Sequence, residues 1–390
     1  MQTLTINARA EKRLKSGHLW IYSNEINNDK TPLKSVQAGE QAAINGEDGR
    51  LVGYALMNPQ QLICGKIVAR KKPLDRAQLK ARLAAALSWR EQNYPQPFYR
   101  LCYAEGDYLP GLVIDRYDDI CVVQLTDRGM LAFVDDIAAL LAELAGSRGV
   151  LFQHDYPQVD GIELPAHSVV GEVPEFARLQ ENGVQFLAPL HAGQKTGWFY
   201  DHRDNRARLL PLVNGKRVLD VFSYVGGWGI QALAHGAASL TAVDASAFAL
   251  DCLEQNAALN GFADTVTALQ GKAFDALQAL IAEGEKFDVI IVDPPAFIKK
   301  KKDFNQGLKA YRKANELALR LLDKDGLLMS ASCSMHLAAH ELQQQVQQAA
   351  RHVDRELALV YAGGHAADHP VHPAIAETCY LKAQLYRRLG

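Results

Sequence analysis

Arg217-Val218-Leu219-Asp220-Val221-Phe222-Ser223-Tyr224-Val225-Gly226-Gly227-Trp228-Gly229-Ile230 decides the fold, together with Ser239-Leu240-Thr241-Ala242-Val243-Asp244 about ten residues on. Val218 to Phe222 is a short apolar run of β type. Gly226, Gly227 and Gly229 follow as a tight cluster, Ile230 to His235 can open a helix, and Leu240 to Val243 is a second apolar run ending on Asp244. Strand, glycine turn, helix and strand with an acid at its tip make a nucleoside-binding unit. Glycines let backbone N–H groups approach the ligand, and the acid bonds ribose hydroxyls. The plainer alternative is an ordinary βαβ unit in which Asp244 caps a helix. Asp220 at the end of the first strand, with a loop that departs from G-x-G-x-x-G, favours a cofactor with a positive centre over one with a pyrophosphate. S-adenosylmethionine (SAM), with its sulfonium and amino acid end, is that cofactor.

Working outward, helical and β-type stretches alternate from 217 to 352, and two final strands are expected at Leu357–Tyr361 and Tyr380–Tyr386. This alternation predicts an α/β fold, a parallel doubly wound sheet closed by an antiparallel hairpin. Ligands of such sheets sit at the C-terminal strand ends, where Phe222, Asp244, Asp293 and Cys333 should converge. Asp293-Pro294-Pro295-Ala296-Phe297 ends one strand; the prolines hold the backbone extended and project Asp293 into the cleft. A planar base could be held there by Asp293 and packed on Phe297. Ser332-Cys333-Ser334 ends another strand, with both hydroxyls expected to face the crevice. A thiolate at Cys333 would serve cytosine methylation: attack on C6 turns C5 into an enamine-like carbon able to accept a methyl group. A buried, inert cysteine is the alternative.

Upstream, residues 193–208 (Gly-Gln-Lys-Thr-Gly-Trp-Phe-Tyr-Asp-His-Arg-Asp-Asn-Arg-Ala-Arg) read as a lid or wall over the cofactor, or as a helical entry carrying surface ion pairs. Residues 1–72 read as a small all-β barrel with strands at 41–44, 51–56 and 62–68, of the kind that binds rather than catalyses. Trp20 and Tyr22 there could stack bases or fill the core. Residues 73–175 read as an α+β domain that opens with an amphipathic helix at 75–93. Residues 176–390 form the third domain.

The 390 residues are 48% hydrophobic and 22% charged, as in ordinary globular chains, with room for two or three domains. No apolar run reaches the roughly 20 residues that span a bilayer, and no signal-type segment opens the chain, so no membrane partner and a cytoplasmic location are expected. The six cysteines contain no C-x-x-C, and no metal is expected. His365, His369 and His372 with Asp368 are irregularly spaced and read as a surface loop. Net charge is −2, yet residues 66–90 hold eight Lys or Arg against Asp75, and residues 299–313 hold seven against Asp303. Such local patches point to nucleic acid.

Asp220-Val-Phe-Ser-Tyr-Val-Gly-Gly-Trp, Asp244, Asp293-Pro-Pro-Ala-Phe and Ser332-Cys-Ser together resemble the PUA-containing bacterial rRNA methyltransferases, the closest type being that which methylates cytosine C5 in 23S rRNA. Gly106-Asp-Tyr-Leu-Pro-Gly-Leu-Val-Ile-Asp-Arg, Lys195-Thr-Gly-Trp-Phe-Tyr-Asp-His-Arg and Ala367-Asp-His-Pro extend the likeness over nearly the whole chain. The resemblance implies an N-terminal PUA domain, a central α+β domain and a C-terminal Rossmann-like class I methyltransferase domain. It implies a SAM site at Thr196, Asp201, Phe222, Tyr224, Gly226, Asp244 and Asp293, a nucleophile at Cys333, and 23S rRNA as partner. Two positions depart from that family. Ala296 stands where relatives usually carry Lys. Gly271-Lys272-Ala273 stands where an acid commonly marks the adenine contact, so backbone groups of Ala273 or Phe274 are expected to hold adenine. Two other functions fit the same sequence: a guanine-N methyltransferase acting on rRNA, which needs no cysteine, and a non-catalytic RNA-binding ribosome assembly factor. A homodimer is compatible with the sequence, which does not fix the oligomeric state.

Overall fold

The computed structural model describes residues 1–155 and 167–390. They pack as two units. The first comprises Met1–Glu175, Gln194–Thr196 and Ala367–Thr378; the second comprises Phe176–Gly193, Gly197–Ala366 and Cys379–Gly390.

In the first unit, β1 (Gln2–Thr5), α1 (Ala8–Lys15), β2 (Trp20–Tyr22), β3 (Gln41–Asn45), β4 (Leu51–Met57) and β5 (Ile63–Ala69) build a five-stranded sheet of order β1-β3-β4-β5-β2. β1 runs parallel to β3 and the other pairings are antiparallel. Alternate side chains of β3 are buried, with Ala42 and Ile44 joining Leu4, Ile6, Leu14 and Ile21 in one core. β1 and β2 are added to the three strands expected from sequence; with four and three residues they are too short to show a period. Trp20 packs against this core and donates its indole N–H to Glu105 Oε1 at 2.8 Å, so the core reading holds for it.

The same unit continues with α2 (Arg76–Asn93), β6 (Phe98–Tyr103), β7 (Leu112–Tyr117), β8 (Ile120–Leu125), α3 (Val134–Ala145), β9 (Gly149–His154) and β10 (His167–Gly171). Asp75 opens α2 through a reciprocal cap: its carboxylate accepts from Gln78 N at 2.9 Å, and Gln78 accepts from Asp75 N at 3.1 Å. The strands form a second sheet, β10-β9-β8-β7-β6, over which Leu79, Leu83 and Leu87 of α2 and Ile137 and Leu141 of α3 bury.

Two sequence readings are corrected in this unit. Asp368, His369 and His372 are buried rather than on a surface loop: His369 Nδ1 lies 2.7 Å from Asp368 Oδ1, and Asp368 Oδ2 accepts from Arg100 N at 2.9 Å. The basic run at 66–90 is not one solvated face. Arg90 is fully buried in a bidentate pair with Asp107 at 2.6 and 2.7 Å, and Lys66 lies 3.5 Å from Asp127. These two cations are therefore paired internally, whereas Arg70, Lys71, Lys72 and Arg76 remain exposed.

The second unit begins with the hairpin β11 (Phe176–Glu181) and β12 (Val184–Pro189), then α4 (Arg203–Leu209). β13 (Arg217–Val221), α5 (Gly229–Ala234), β14 (Ser239–Asp244), α6 (Ala247–Leu259), β15 (Val266–Gln270), α7 (Ala273–Ala282), β16 (Phe287–Val292), α8 (Phe304–Leu321), β17 (Leu322–Ser332), α9 (Ala339–His352), β18 (Glu356–Gly363) and β19 (Lys382–Leu389) follow. The seven-stranded sheet runs β15-β14-β13-β16-β17-β19-β18. It is parallel as far as β17, and β19 is antiparallel to both neighbours. β19 thus inserts between β17 and β18, where the sequence suggests only a terminal hairpin. Strand order reverses between β13 and β16, which opens a crevice at the C-terminal strand ends. Leu219, Val221, Val243, Ile290, Val292 and Leu328 pack the core beneath it.

Candidate cofactor and nucleophile site

The turn after β13 is shaped by backbone that most side chains resist. Phe222 and Tyr224 have φ of 68° and 49°, and Gly226 has φ of 88°. A Cβ on Gly226 would stand 2.7 Å from Ile230 and 3.0 Å from Leu253, so only glycine fits. Phe222 N and Ser223 N both donate to Val243 O, at 2.9 and 3.1 Å, stitching the turn to β14. Asp244 at the tip of β14 accepts from Tyr224 N and from Ser246 N, each at 2.9 Å. These two bonds aim the carboxylate and leave it further lone pairs.

Asp220 is fully buried at the end of β13. Its Oδ2 accepts from Gly229 N at 3.0 Å, which anchors the start of α5, and its Oδ1 is buried with no hydrogen-bond partner. Burial pushes its carboxyl up to about 7, the Gly229 N–H opposes this, and the charges of Asp293 and Asp244 add to it. Three carboxylates gathered at one sheet end, one with an orphaned oxygen, call for a cation. A nucleoside carrying a sulfonium and an ammonium supplies that charge, so the residues fit SAM.

Asp293 follows β16. Its Oδ2 accepts from Trp228 Nε1 at 3.0 Å and its Oδ1 lies 3.3 Å from His202 Nε2. Burial opposes its charge, but His202 and the indole N–H outweigh this and hold its carboxyl below the ordinary carboxylate value. His202 also contacts Asn205 and stacks obliquely on Trp228, with ring centroids 5.2 Å apart. Sequence reasoning does not single out His202 or Trp228, although both stand inside quoted motifs. The available signal is a histidine and a tryptophan, each within reach of a strand-end acid.

The stretch after residue 197 is a buried wall, not an entry with surface ion pairs. Glu181, fully buried, accepts from Arg206 Nε at 2.6 Å, Gln231 Nε2 at 2.9 Å and Trp198 Nε1 at 3.0 Å, with Arg203 Nε at 3.4 Å. Asp201 accepts from Tyr380 OH at 2.6 Å. Tyr224 OH donates to Gly197 O at 3.2 Å, tying the wall to the cofactor turn. Thr196 belongs to the first unit, where its buried hydroxyl donates to Asp115 Oδ2 at 2.5 Å. Ala273 is the first residue of α7 and packs with Phe222 and Phe274 against the sheet core.

Cys333 follows the last residue of β17 and is half-buried, its Sγ 3.9 Å from Pro294 O. Its two serine neighbours do not face the crevice, contrary to the sequence reading. Both are fully buried: Ser332 Oγ donates to Tyr311 OH at 2.8 Å, Tyr311 OH pairs with Ser334 Oγ at 2.8 Å, and Ser334 Oγ accepts from Ile298 N at 3.1 Å. The serines therefore clamp the segment on either side of the thiol. Phe297, the aromatic of the Asp293 loop, sits against Tyr311 and Phe222 with centroids 4.9 and 6.2 Å apart. The Asp293 loop, the Cys333 segment and the cofactor turn thus share one aromatic cluster.

Known proteins share this architecture. Residues 129–387 match the family described as S-adenosylmethionine-dependent methyltransferase, and residues 4–70 match a PUA-like domain. The chain is 34% identical to ribosomal RNA large subunit methyltransferase I of Shewanella amazonensis, covering 97% of each protein. It is 32% identical to the protein of that name from Klebsiella pneumoniae, covering 95% of this chain and 94% of the other. The crystal structure of SMU.776 complexed with SAH superposes with a TM-score of 0.85 over 99% of this chain and all of that one, at 21% identity. Among the described residues, no helix is long and apolar enough to cross a membrane.

Proposed function

The chain belongs to the S-adenosylmethionine-dependent methyltransferase family, and from that premise we propose that it forms 5-methylcytosine in 23S rRNA through a covalent Cys333 adduct. The observation that carries this reading is the position of Cys333. It is a half-buried thiol at the tip of the strand next to β16, clamped by Ser332 and Ser334, with the Asp293 loop alongside. A methyltransferase acting on an exocyclic or ring nitrogen has no need of a thiol so held.

Bound SAM supplies an electrophilic methyl group on its sulfonium. The residues of the chain do the rest. Asp244 would take the ribose hydroxyls, Phe222 and the start of α7 the adenine face, and Asp220 the positive charge. The Cys333 thiolate forms a bond to C6 of the cytosine, and the C5–C6 double-bond electrons move toward C5. C5 would then accept the methyl group that bound SAM would supply, with the thioether as leaving group. A base then takes the C5 proton, the double bond re-forms, and the C6–sulfur bond breaks to return the thiolate. Asp293, held by His202 and Trp228, would accept a hydrogen bond from the exocyclic amino group at the pyrimidine edge. The cytosine must leave its stack to be reached.

On this reading residues 1–72 recruit RNA, 73–175 form a central domain, 176–390 carry catalysis, and the protein works in the cytoplasm. The test is methyl transfer from tritiated SAM to 23S rRNA taken from a strain lacking this gene, with the modified nucleoside identified by mass spectrometry. Methylcytosine is expected; methylguanosine would overturn the assignment.

A further inference from the structure

Lys382 is a lysine that the structure buries, 7% exposed, at the start of β19. The register of β17 and β19 sets it directly opposite Ser332, the residue before the thiol. Its Nζ donates to Ser334 O, the carbonyl just after the thiol, at 2.6 Å, and to Tyr380 O at 2.8 Å. An ammonium with three donors and no acceptors has two of them fixed here. One partner is the Cys333 segment itself. A structural role could be served by a neutral donor, and burying a full charge where no carboxylate accepts it is costly. No carboxylate lies within ion-pair distance of Lys382 among the described residues. The titratable groups that act on it are Cys379, Cys333 and Glu341, while Tyr311 faces Cys333 from α8.

We propose that Lys382 is the positioning residue of the Cys333 nucleophile: its ammonium fixes the backbone after the thiol and supplies the positive charge that favours the thiolate. The thiol proton leaves to solvent and the ammonium keeps its own. Burial brings Lys382 down to about 8, and the nearby thiols act in the opposite direction. It therefore remains largely cationic at neutral pH. This inference rests on the reading of Cys333 as nucleophile.

The experiment measures the pH dependence of Cys333 alkylation by iodoacetamide, read by peptide mass spectrometry. A Cys379→Ser background removes the exposed thiol. Lys382→Met should move the alkylation midpoint up by about one pH unit, the lower end of what an adjacent opposite charge does to a titrating group. Lys382→Arg should keep it near the parent value. Lys382→Gln, which retains a donor without the charge, should behave like Met and decides the matter if Met fails to fold. Parent-like midpoints in folded Met and Gln variants would overturn the proposal. Alkylation reports ionisation whether or not the thiol attacks a base. A shifted midpoint in a protein whose Cys333→Ala variant still methylates would sink the nucleophile while leaving the electrostatic role standing.

Discussion

His202 Nε2 stands 3.3 Å from Asp293 Oδ1 in the interior of the methyltransferase sheet end, and the two groups stabilise each other's charge. Burial alone would lower the His202 pKa, but Asp293 outweighs it and leaves it raised above 6.5. Asp293 is held below 3.8 by the converse effect, against its own burial. The His202 contribution is complete below pH 6.5 and is lost as pH rises through its raised folded value. The Asp293 contribution is complete above pH 3.8 and is lost as pH falls through its depressed folded value. Stability should therefore peak between those two folded values. His202→Gln should cost about 2 kcal/mol at about pH 6 by removing the cationic partner of a partly exposed carboxylate. It should also flatten the alkaline fall, as measured by urea denaturation across pH.

Asp220 predicts how SAM binding depends on pH. Its carboxyl titrates at about 7 in the ligand-free protein, raised by burial and by the neighbouring Asp293 and Asp244. A cationic ligand selects the ionised form. SAM affinity, measured by titration calorimetry, should fall with decreasing pH below about 7, approaching tenfold per unit for one coupled proton. Asp220→Asn should weaken binding at mildly alkaline pH and remove most of this dependence. The raised carboxyl has the opposite effect on the empty fold, which loses stability as pH rises from 3.8 through about 7.

Glu181 is the buried hub of the wall over the cofactor turn. Arg206, Arg203, Trp198 and Gln231 all converge on it. Glu181→Gln removes the anion and leaves two buried guanidinium groups without it, so a loss of about 3–5 kcal/mol is expected in chemical denaturation. Burial works against the Glu181 charge, but the arginines hold its carboxyl below 4.5. The wild-type contribution should persist above pH 4.5 and disappear as pH falls through the depressed folded value. Since Tyr224 is tied to Gly197, SAM binding should weaken with it.

Lys299, Lys300, Lys301 and Lys302 follow the Asp293 loop and are exposed, with no ion-pair partner among the described residues. Replacing all four with Gln should lower rRNA affinity and flatten its salt dependence. The log–log slope should shrink by roughly 0.7 for each phosphate that the protein no longer neutralises on single-stranded RNA. SAM binding should be unchanged. The same replacements at Lys66 and Arg90 should instead unfold the first unit, because those cations are paired inside it.

The α/β alternation, the glycine turn and the strand-tip acids are legible in the sequence because each is local: period, punctuation and a residue type at a strand end. The signals that fail are long-range. Glu181 sits in a Glu-Asn-Gly turn that looks solvent-facing, and only tertiary packing brings two arginines to it. Ser332 and Ser334 look like crevice hydroxyls until Tyr311, from the helix directly before that strand, claims both. Lys382 gives no sign at all, since its partners are backbone carbonyls that no sequence pattern marks. Within the basic run at 66–90, Lys66 and Arg90 mislead for the same reason: their charge can be counted along the chain, but the acids that pair them come from elsewhere.

The most direct test of the central claim is covalent trapping. A 23S rRNA fragment carrying 5-fluorocytidine is incubated with SAM and the protein, because fluorine at C5 cannot leave as a proton and the C6–sulfur bond then persists. The account predicts a denaturation-stable protein–RNA complex whose linked peptide contains Cys333, formed by wild type and absent from Cys333→Ala. No such complex from an enzyme that still methylates unmodified rRNA, or one linked through another residue, would contradict it.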